Sequence, residues 1–575
     1  MITVTAFNPA PHSGGDNAGY VTLAYSLLHD HAYRDVYDPQ QLLHTKYPPV
    51  FPALLAGWIL AGARSWTALK LVPALSTVLA VLFAFLWVER RRGPWMAAAV
   101  ALTLALSSSV VYYSHWILSD PTFLAFTLAA LWAMERAQGD GSETRGARAL
   151  RGAPDRGNVP DADRGVTDRG AVPEADAVGQ RWLWLGGALA GLAYFTRSAG
   201  LPLLVAIAAW LAWRGRWRAF WVFSLCVGAP ALLWWLRARG VGDVQYVSEF
   251  WMADPYRPEL GRVGLGGLLS RMAANAKGYT LAHLPGGIVG NGGGAAAGLG
   301  IALVIAAAVG WVRRLRRRVA PAELFVPLYA GLILLWPEVW SGDRFALPLY
   351  PLLFLYAAET VHHAAARVKP ALATPALATA LILVVLPALA SWRGAATEAS
   401  ACARVVRVRG PFACYGPGFE GFADAAAWAG GHLPAGSSVW ARKPRIFFVL
   451  SGLTSRTYPF DTDPEAILGQ SDALGVRYAV LDRIDGLGAR YLAGAVRAQP
   501  GAFCSVTGFG RPGGVRTELL GILPEGERSP PAAEAASGGV RIRVCPPEYQ
   551  AGAGGVRAAY SSASSLIPLL TALDP

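Results

Sequence analysis

Ten long apolar segments alternate with polar connections along the first two thirds of the chain. They lie at about 67–88, 95–113, 119–134, 182–196, 199–213, 219–236, 295–312, 321–336, 345–360 and 371–391. Most reach the roughly 17–25 residues a helix needs to cross a bilayer, and the shorter ones borrow flanking residues. An eleventh apolar stretch, 48–63, opens Tyr47-Pro48-Pro49 and carries Pro52. It is short and predicts a juxtamembrane helix, not a span. The stretch 135–181 holds Asp-Arg-Gly at 155–157, 163–165 and 168–170 and few large apolar residues. It cannot bury a core and predicts a disordered cytoplasmic loop. Beyond 392 the hydropathy drops. Strand-like runs at 437–440, 446–450, 477–482 and 516–522, with helical patterns at 421–432 and 464–474, predict a small α/β domain over 392–525. Residues 526–575 are rich in Gly, Ala, Ser and Pro and predict a loosely ordered tail.

Charge placement orients these elements. Arg90, Arg91 and Arg92 follow the first segment, Arg214, Arg216 and Arg218 the fifth, Arg313, Arg314, Arg316, Arg317 and Arg318 the seventh, and Arg367 with Lys369 the ninth. Short cytoplasmic loops are enriched in Lys and Arg. Every cluster falls on one side if 48–63 does not cross. Residues 1–66, the loop 237–294 and the C-terminal domain then lie outside. The expected fold class is a polytopic α-helical membrane protein with about ten spans over 67–391 and a small C-terminal extracytoplasmic α/β domain.

Composition agrees. Of 575 residues, 54% are hydrophobic and 15% charged, which excludes a disordered chain and argues against a wholly soluble one. The net charge of +13 would suit a nucleic-acid partner, but the arginines cluster between apolar runs, so membrane lipid is the expected partner. Cys226 lies in a span, whereas Cys402, Cys414, Cys504 and Cys545 lie outside, where disulfides form. Three pairings are open, and Cys402–Cys414 is the shortest in sequence. No Cys/His cluster has metal-ligand spacing, and no phosphate-loop, nucleophile-elbow or HExxH pattern occurs. The glycine run 285–299 predicts a flexible external segment.

Candidate chemistry gathers at the external face. Asp16, in GGDNAGY, precedes an amphipathic run. It suits a helix N-cap, or a general base whose proton affinity the membrane surface raises. Lys46 precedes the Pro-Pro pair and can snorkel or bind a phosphate; His44 can donate to the same anion. Asp120-Pro121 reads as a helix start, yet by topology it shares a face with Asp16. Arg344, in DRFALPLYP, and Arg197, in FTRSAGLP, stand at external span boundaries. Each can pair locally or grip a lipid phosphate.

In their order and spacing, GGDNAGY, HTKYPPVFPALLAG, YYSHWILSDPTFLAF and DRFALPLYPLLFL resemble motifs of the C-type (GT-C) glycosyltransferases. The nearest likeness is to the protein O-mannosyltransferases and the lipid A aminoarabinose transferases. The resemblance implies transfer of a sugar from a polyprenyl phosphate to a hydroxyl on the external face, with inversion and without a metal or other cofactor. It implies Asp16 as catalytic base, Asp120 as a further acidic position, and Lys46 and Arg344 as phosphate contacts. The acceptor is a protein, a lipid or a glycan. Two features depart from the family. Asn17 replaces a common Glu. The family's span before the first external loop is missing, so an upstream start is expected. A glycan ligase or polymerase would look similar. A lipid or polysaccharide transporter would carry ionisable groups within its spans, which here are nearly free of charge.

Overall fold

The computed structural model describes residues 2–151, 172–239, 245–290, 293–510, 514–529 and 542–549. It is mainly helical, with helices at each predicted apolar segment. Among the described residues, Trp66–Arg92, Trp217–Arg239, Gly294–Arg317 and Pro370–Arg409 are long and apolar enough to cross a membrane, and Val50–Leu60 is a short apolar helix. Their outward faces carry exposed Leu75, Val78, Leu225, Leu233, Ile305 and Leu383, which is the surface a bilayer covers and water does not.

Several predicted elements are refined. The segment 95–113 breaks at Ser107, whose hydroxyl bonds back to the Thr103 carbonyl and so competes with the helix ladder. The segment 219–236 contains a π-turn at Ser224–Gly228, just ahead of Pro230, which has no N–H to continue an α-ladder. The last segment continues as one helix, Ala373–Arg409, well past the expected boundary at 392. Both ends of 135–181 are helical, in Asp120–Arg151 and Val172–Thr196, instead of loop. The Asp-Arg-Gly repeats lie outside the described residues. The loop 237–294 is largely helical too, and Arg271 and Asn275 within it donate to the carbonyls of Phe250, Met252, Leu334 and Trp336. The glycine run is no flexible segment where described: it forms Leu284–Val289 and opens Gly293–Arg317.

Basic residues from three chain positions meet at one end of the bundle. Arg91 pairs with Glu135 and Glu323 at 2.8 Å each, Arg318 with Glu135 at 3.2 Å, and Arg92 with Glu359 at 2.6 Å. Glu323, one of the few charges within the predicted spans, is fully buried and also accepts from Tyr356. A lone buried carboxylate would be costly, and Arg91 offsets that cost.

The C-terminal part is a six-stranded sheet of order β2-β1-β3-β5-β4-β6. Its strands are β1 (Ser438–Trp440), β2 (Thr454–Arg456), β3 (Tyr478–Leu481), β4 (Phe503–Phe509), β5 (Thr517–Ile522) and β6 (Arg543–Val544). β1 pairs in parallel with both β2 and β3, whereas β5 runs antiparallel to β3 and β4. The run 446–450, expected as a strand, is instead the helix Pro444–Ser451. Pro444 is suited to a first helical turn, and Gly452, at φ +74°, closes the helix in the left-handed region. Residues 542–549, expected in the loose tail, are held by β6 and the Cys504–Cys545 disulfide. The second disulfide is Cys402–Cys414, the pair nearest in sequence.

This part is not packed as a separate body. Tyr20, Phe51 and Leu55 share one core with Phe422, Val439 and Phe447. The N-terminal helices Gly15–His29 and Val50–Leu60 thereby form one layer with the sheet domain, above the bundle. We expect the double substitution Cys504→Ser/Cys545→Ser to destabilise this layer by about 2–4 kcal/mol. Limited proteolysis of the full chain would detect it as faster cleavage within 410–549 while the bundle stays protected.

Candidate functional site

The helix Gly15–His29 opens on Gly14, so Asp16 sits in its first turn and is not its cap. The Asp16 side chain turns to other elements instead. Its Oδ1 accepts from the Tyr47 hydroxyl at 2.7 Å, and its Oδ2 accepts from Arg344 Nη1 at 2.9 Å. Arg344 Nε reaches Asp120 Oδ2 at 2.8 Å, and Arg197 Nη1 reaches Asp120 Oδ1 at 2.7 Å. The result is a continuous chain of ions, Asp16–Arg344–Asp120–Arg197, built from four segments far apart in sequence. Asp120 is therefore no free helix cap: both of its oxygens are held by arginines, and it is 3% exposed. The Asp16 side chain is 33% exposed and is the accessible carboxylate of the pair.

Neighbouring contacts fix these groups. Ser109 and Tyr113 donate to Asp343, anchoring the short helix Asp343–Ala346 that carries Arg344. Gly287 packs against this anchor so closely that a Cβ there would collide with the Tyr350 and Ser109 hydroxyls. Tyr20 bonds Ser119 at 2.8 Å, next to Asp120. Asn17 accepts from the Ile117 N–H, tying the Asp16 helix to the 115–119 turn. Lys70, fully buried, donates to the Asn8 and Ala10 carbonyls at 2.6 and 2.5 Å and holds the segment that leads to Asp16.

The sheet domain supplies a residue the sequence did not flag. Arg445, in the first turn of Pro444–Ser451, donates to the Tyr47 hydroxyl at 2.9 Å and lies 3.9 Å from Asp16 Oδ1. Gly19 leaves room for it: a Cβ there would sit 3.0 Å from Arg445 Cδ. The small residue one turn beyond Asp16 is the sequence trace of this contact. Burial alone would raise the Asp16 carboxyl. Arg344, Arg445 and the Tyr47 hydroxyl outweigh it and hold the group well below the usual carboxylate range, the reverse of the raised proton affinity expected from its place at a membrane surface.

Lys46 binds both Glu249 oxygens, at 3.1 and 2.9 Å, and stands over the Trp340 ring at 5.4 Å. His44 is corrected. Its Nδ1 donates to Asp35 at 2.8 Å and its Nε2 accepts from the Tyr47 N–H at 2.8 Å, leaving no ring N–H for a phosphate. Burial, opposed by Asp35, depresses its proton affinity and keeps this neutral tautomer. His44 thus shapes the loop that presents Lys46 and Tyr47. Among the described residues no group of three or more His, Cys, Asp or Glu is placed to hold a metal.

No family model and no curated protein matches the sequence. Solved structures do. The chain is similar to ArnT from Cupriavidus metallidurans in the apo state, at 15% identity and TM-score 0.51, over 90% of this chain and 95% of that one. The same protein bound to undecaprenyl phosphate matches at 14% identity and TM-score 0.51, over 91% and 96%. The Archaeoglobus fulgidus oligosaccharyltransferase, tethered with an acceptor peptide containing the NVT sequon, matches at 14% identity and TM-score 0.51, over 90% and 72%. The chain therefore shares the fold of these two proteins, in keeping with the fold that the resemblance of its motifs leads one to expect.

Arg344 should prove the residue on which the ion chain depends. Removing one partner of a buried pair typically costs about 3–5 kcal/mol, because the other charge is stranded. Arg344→Met should lower the unfolding midpoint in detergent. Adding Asp120→Asn should recover part of the loss, since it removes the stranded charge. A double variant no more stable than Arg344→Met would contradict the arrangement.

Proposed function

We propose that the protein is an integral membrane glycosyltransferase that moves a sugar from a polyprenyl phosphate to an acceptor hydroxyl, with Asp16 as the base. The observation that carries this reading is the one-third-exposed Asp16 carboxylate, held ionised by Arg344 and Arg445, in a fold shared with ArnT solved with undecaprenyl phosphate. The ten helical segments are read as spans. The arginine-rich end belongs to the cytoplasm, and the Asp16 end with the sheet domain to the extracytoplasmic side of the inner membrane. Two disulfides on that domain fit an oxidising compartment.

The chemistry follows from the groups present. The acceptor hydroxyl docks on Asp16, which orients it and takes its proton as the oxygen attacks the anomeric carbon. Attack from the face opposite the phosphate inverts that carbon. The leaving group is a phosphate, and preorganised cations stabilise the charge that grows on it. Arg344, and Lys46 released from Glu249, are suited to that task. Asp120 and Arg197 act behind Arg344, fixing the plane of its guanidinium, so that the chain's own cations rather than a metal carry the phosphate charge. The likeness to an oligosaccharyltransferase favours one second reading, transfer of a preassembled glycan. Donor length separates the two.

The test is release of polyprenyl phosphate from a panel of polyprenyl-phosphate monosaccharides by the purified protein. Asp16→Asn should cut release by at least about 10²-fold, the lower end of what positioned base catalysis contributes, and leave the fold intact. Equal release by wild type and Asp16→Asn would remove Asp16 from the mechanism. Release only from oligosaccharide donors would select the second reading. A pH profile adds a separate check. Because the Asp16 carboxyl is depressed, its ionised form persists as pH falls through the ordinary aspartate range near 4. Asp16 should therefore contribute no acid limb above about pH 4. A limb that shifts in Tyr47→Phe would show that it titrates higher.

A further inference from the structure

The arginine-rich end of the bundle holds more cations than its carboxylates engage. Glu135 is taken by Arg91 and Arg318, Glu323 by Arg91 and by Arg314 at 3.8 Å, and Glu359 by Arg92. Arg313, Arg317 and Arg367 make no hydrogen bond or ion pair among the described residues.

Helix packing gathers these arginines. Gly293–Arg317 and Tyr350–Val368 both run from the Asp16 end to the arginine-rich end. They touch backbone to backbone at Gly310, where a Cβ would collide with the Tyr356 carbonyl and the Thr360 hydroxyl. The Thr360 hydroxyl donates to the Ala306 carbonyl at 2.7 Å and fixes the register. One turn beyond this contact stand Arg313 and His363, and a turn further stand Arg317 and Arg367. Arg313 lies within electrostatic range of both Arg317 and Arg367. A helix end accommodates a cation through its dipole, but guanidiniums gathered in this way repel one another, and an anion among them relieves that repulsion.

The surface leading to them states which anion fits. Ile301, Ile305 and Val309 follow one another at every fourth residue on an exposed face of the first helix, and Arg313 is next in that row. Val312 and Val368 are exposed beside the same guanidiniums. A soluble phosphate gains nothing from such a row. A diacyl lipid does, because its chains cover the apolar side chains while its phosphate comes level with the guanidiniums, whose planar forks match its oxygens.

We propose that the joined ends of Gly293–Arg317 and Tyr350–Val368 form a binding site for an anionic phospholipid, with its phosphate among Arg313, Arg317 and Arg367 and its chains along the Ile301–Ile305–Val309 row. The site lies at the end of the bundle opposite Asp16 and uses none of the groups assigned to catalysis. It depends on the helices being spans, and it stands or falls apart from the transferase reading.

The experiment uses the full chain, delipidated in a neutral detergent. It is titrated with dioleoylphosphatidylglycerol, with dioleoylphosphatidylcholine as the uncharged lipid, and with glycerol 1-phosphate as a headgroup without chains. Native mass spectrometry reads retained lipid. Wild type should retain phosphatidylglycerol saturably and phosphatidylcholine far less. The variant Arg313→Gln/Arg317→Gln/Arg367→Gln should bind phosphatidylglycerol about 100-fold more weakly, the scale of three basic contacts with an anionic lipid. A control, Arg214→Gln/Arg216→Gln/Arg218→Gln, removes the same charge from another loop that the charge pattern puts on the same face, and should leave binding unchanged. Unchanged binding in the first variant overturns the proposal. Equal weakening in both variants also overturns it, because it shows diffuse attraction without a site. Glycerol 1-phosphate bound as tightly as the phospholipid would make the ligand a free anion and end the lipid assignment. Each variant is checked for a wild-type elution profile. Should the triple variant at the site lose it, Arg317→Gln/Arg367→Gln, both at exposed positions, carries the comparison, with about 30-fold weaker binding expected.

Discussion

One guanidinium organises the upper half of this molecule. Arg344 gives its Nε to Asp120 and its Nη1 to Asp16, a division only a rigid planar fork can make without changing conformation. Left without that cation, the two like charges would repel one another. With Arg344 between them, both have a cation. Arg197 completes the second and Arg445 approaches the first. Much of the local architecture reads as support for that geometry: the hydroxyls on Asp343, the close packing at Gly287, and the Tyr20–Ser119 bond. An interaction among residues 16, 120, 197, 344 and 445 requires the N-terminal helices, the bundle and the sheet domain to be in place together. The fold and the site are the same constraint seen at two scales.

The charges of the bundle separate into two ends with different tasks. At the arginine-rich end, Arg91 and Arg318 are spent on Glu135 and Glu323. Glu135 and Glu323 thus each have a cation partner, where an ion-coupled transporter would need carboxylates free to take up a proton or hold an ion in transit. At the other end the ion chain stops at Asp16, whose side chain keeps an open edge. An uncommitted edge on an otherwise satisfied network is where a substrate can enter. The shared core of Tyr20, Phe51, Phe422 and Phe447 then fixes how far the sheet domain stands from that edge.

Much of this was legible in the sequence, for identifiable reasons. The helical segments could be read because lipid-facing helices are apolar on nearly every side, so length and hydropathy suffice. Asp16, Asp120, Arg197 and Arg344 could be picked out as polar groups at span boundaries on one face, and the structure brings these four together. Their partners could not be read. Nothing local links Arg344 to two carboxylates so far away, and Asp120 looked like an ordinary helix cap. His44 misled because its neighbour in sequence is Lys46, while its neighbours in space are Asp35 and the Tyr47 N–H. Arg445 was missed because Ile446–Leu450 was taken for a strand on its β-branched and aromatic content. Pro444 and Gly452 were the stronger signal, and they make it a helix whose first turn brings Arg445 to the site. The Gly-rich stretches were misjudged in the same direction: among close-packed helices glycine permits contact, and does not by itself mark a loop.

The account stands on the lipid phosphate binding at the Asp16 end. The most direct measurement is a structure of the full chain with undecaprenyl phosphate in a bilayer mimic. The account predicts phosphate density within hydrogen-bond reach of Arg344 or Lys46, on the open side of Asp16, with the polyprenyl chain descending along the apolar face of the bundle. Phosphate density at the opposite end, against Arg313, Arg314 or Arg317, with the Asp16 edge empty, would contradict it.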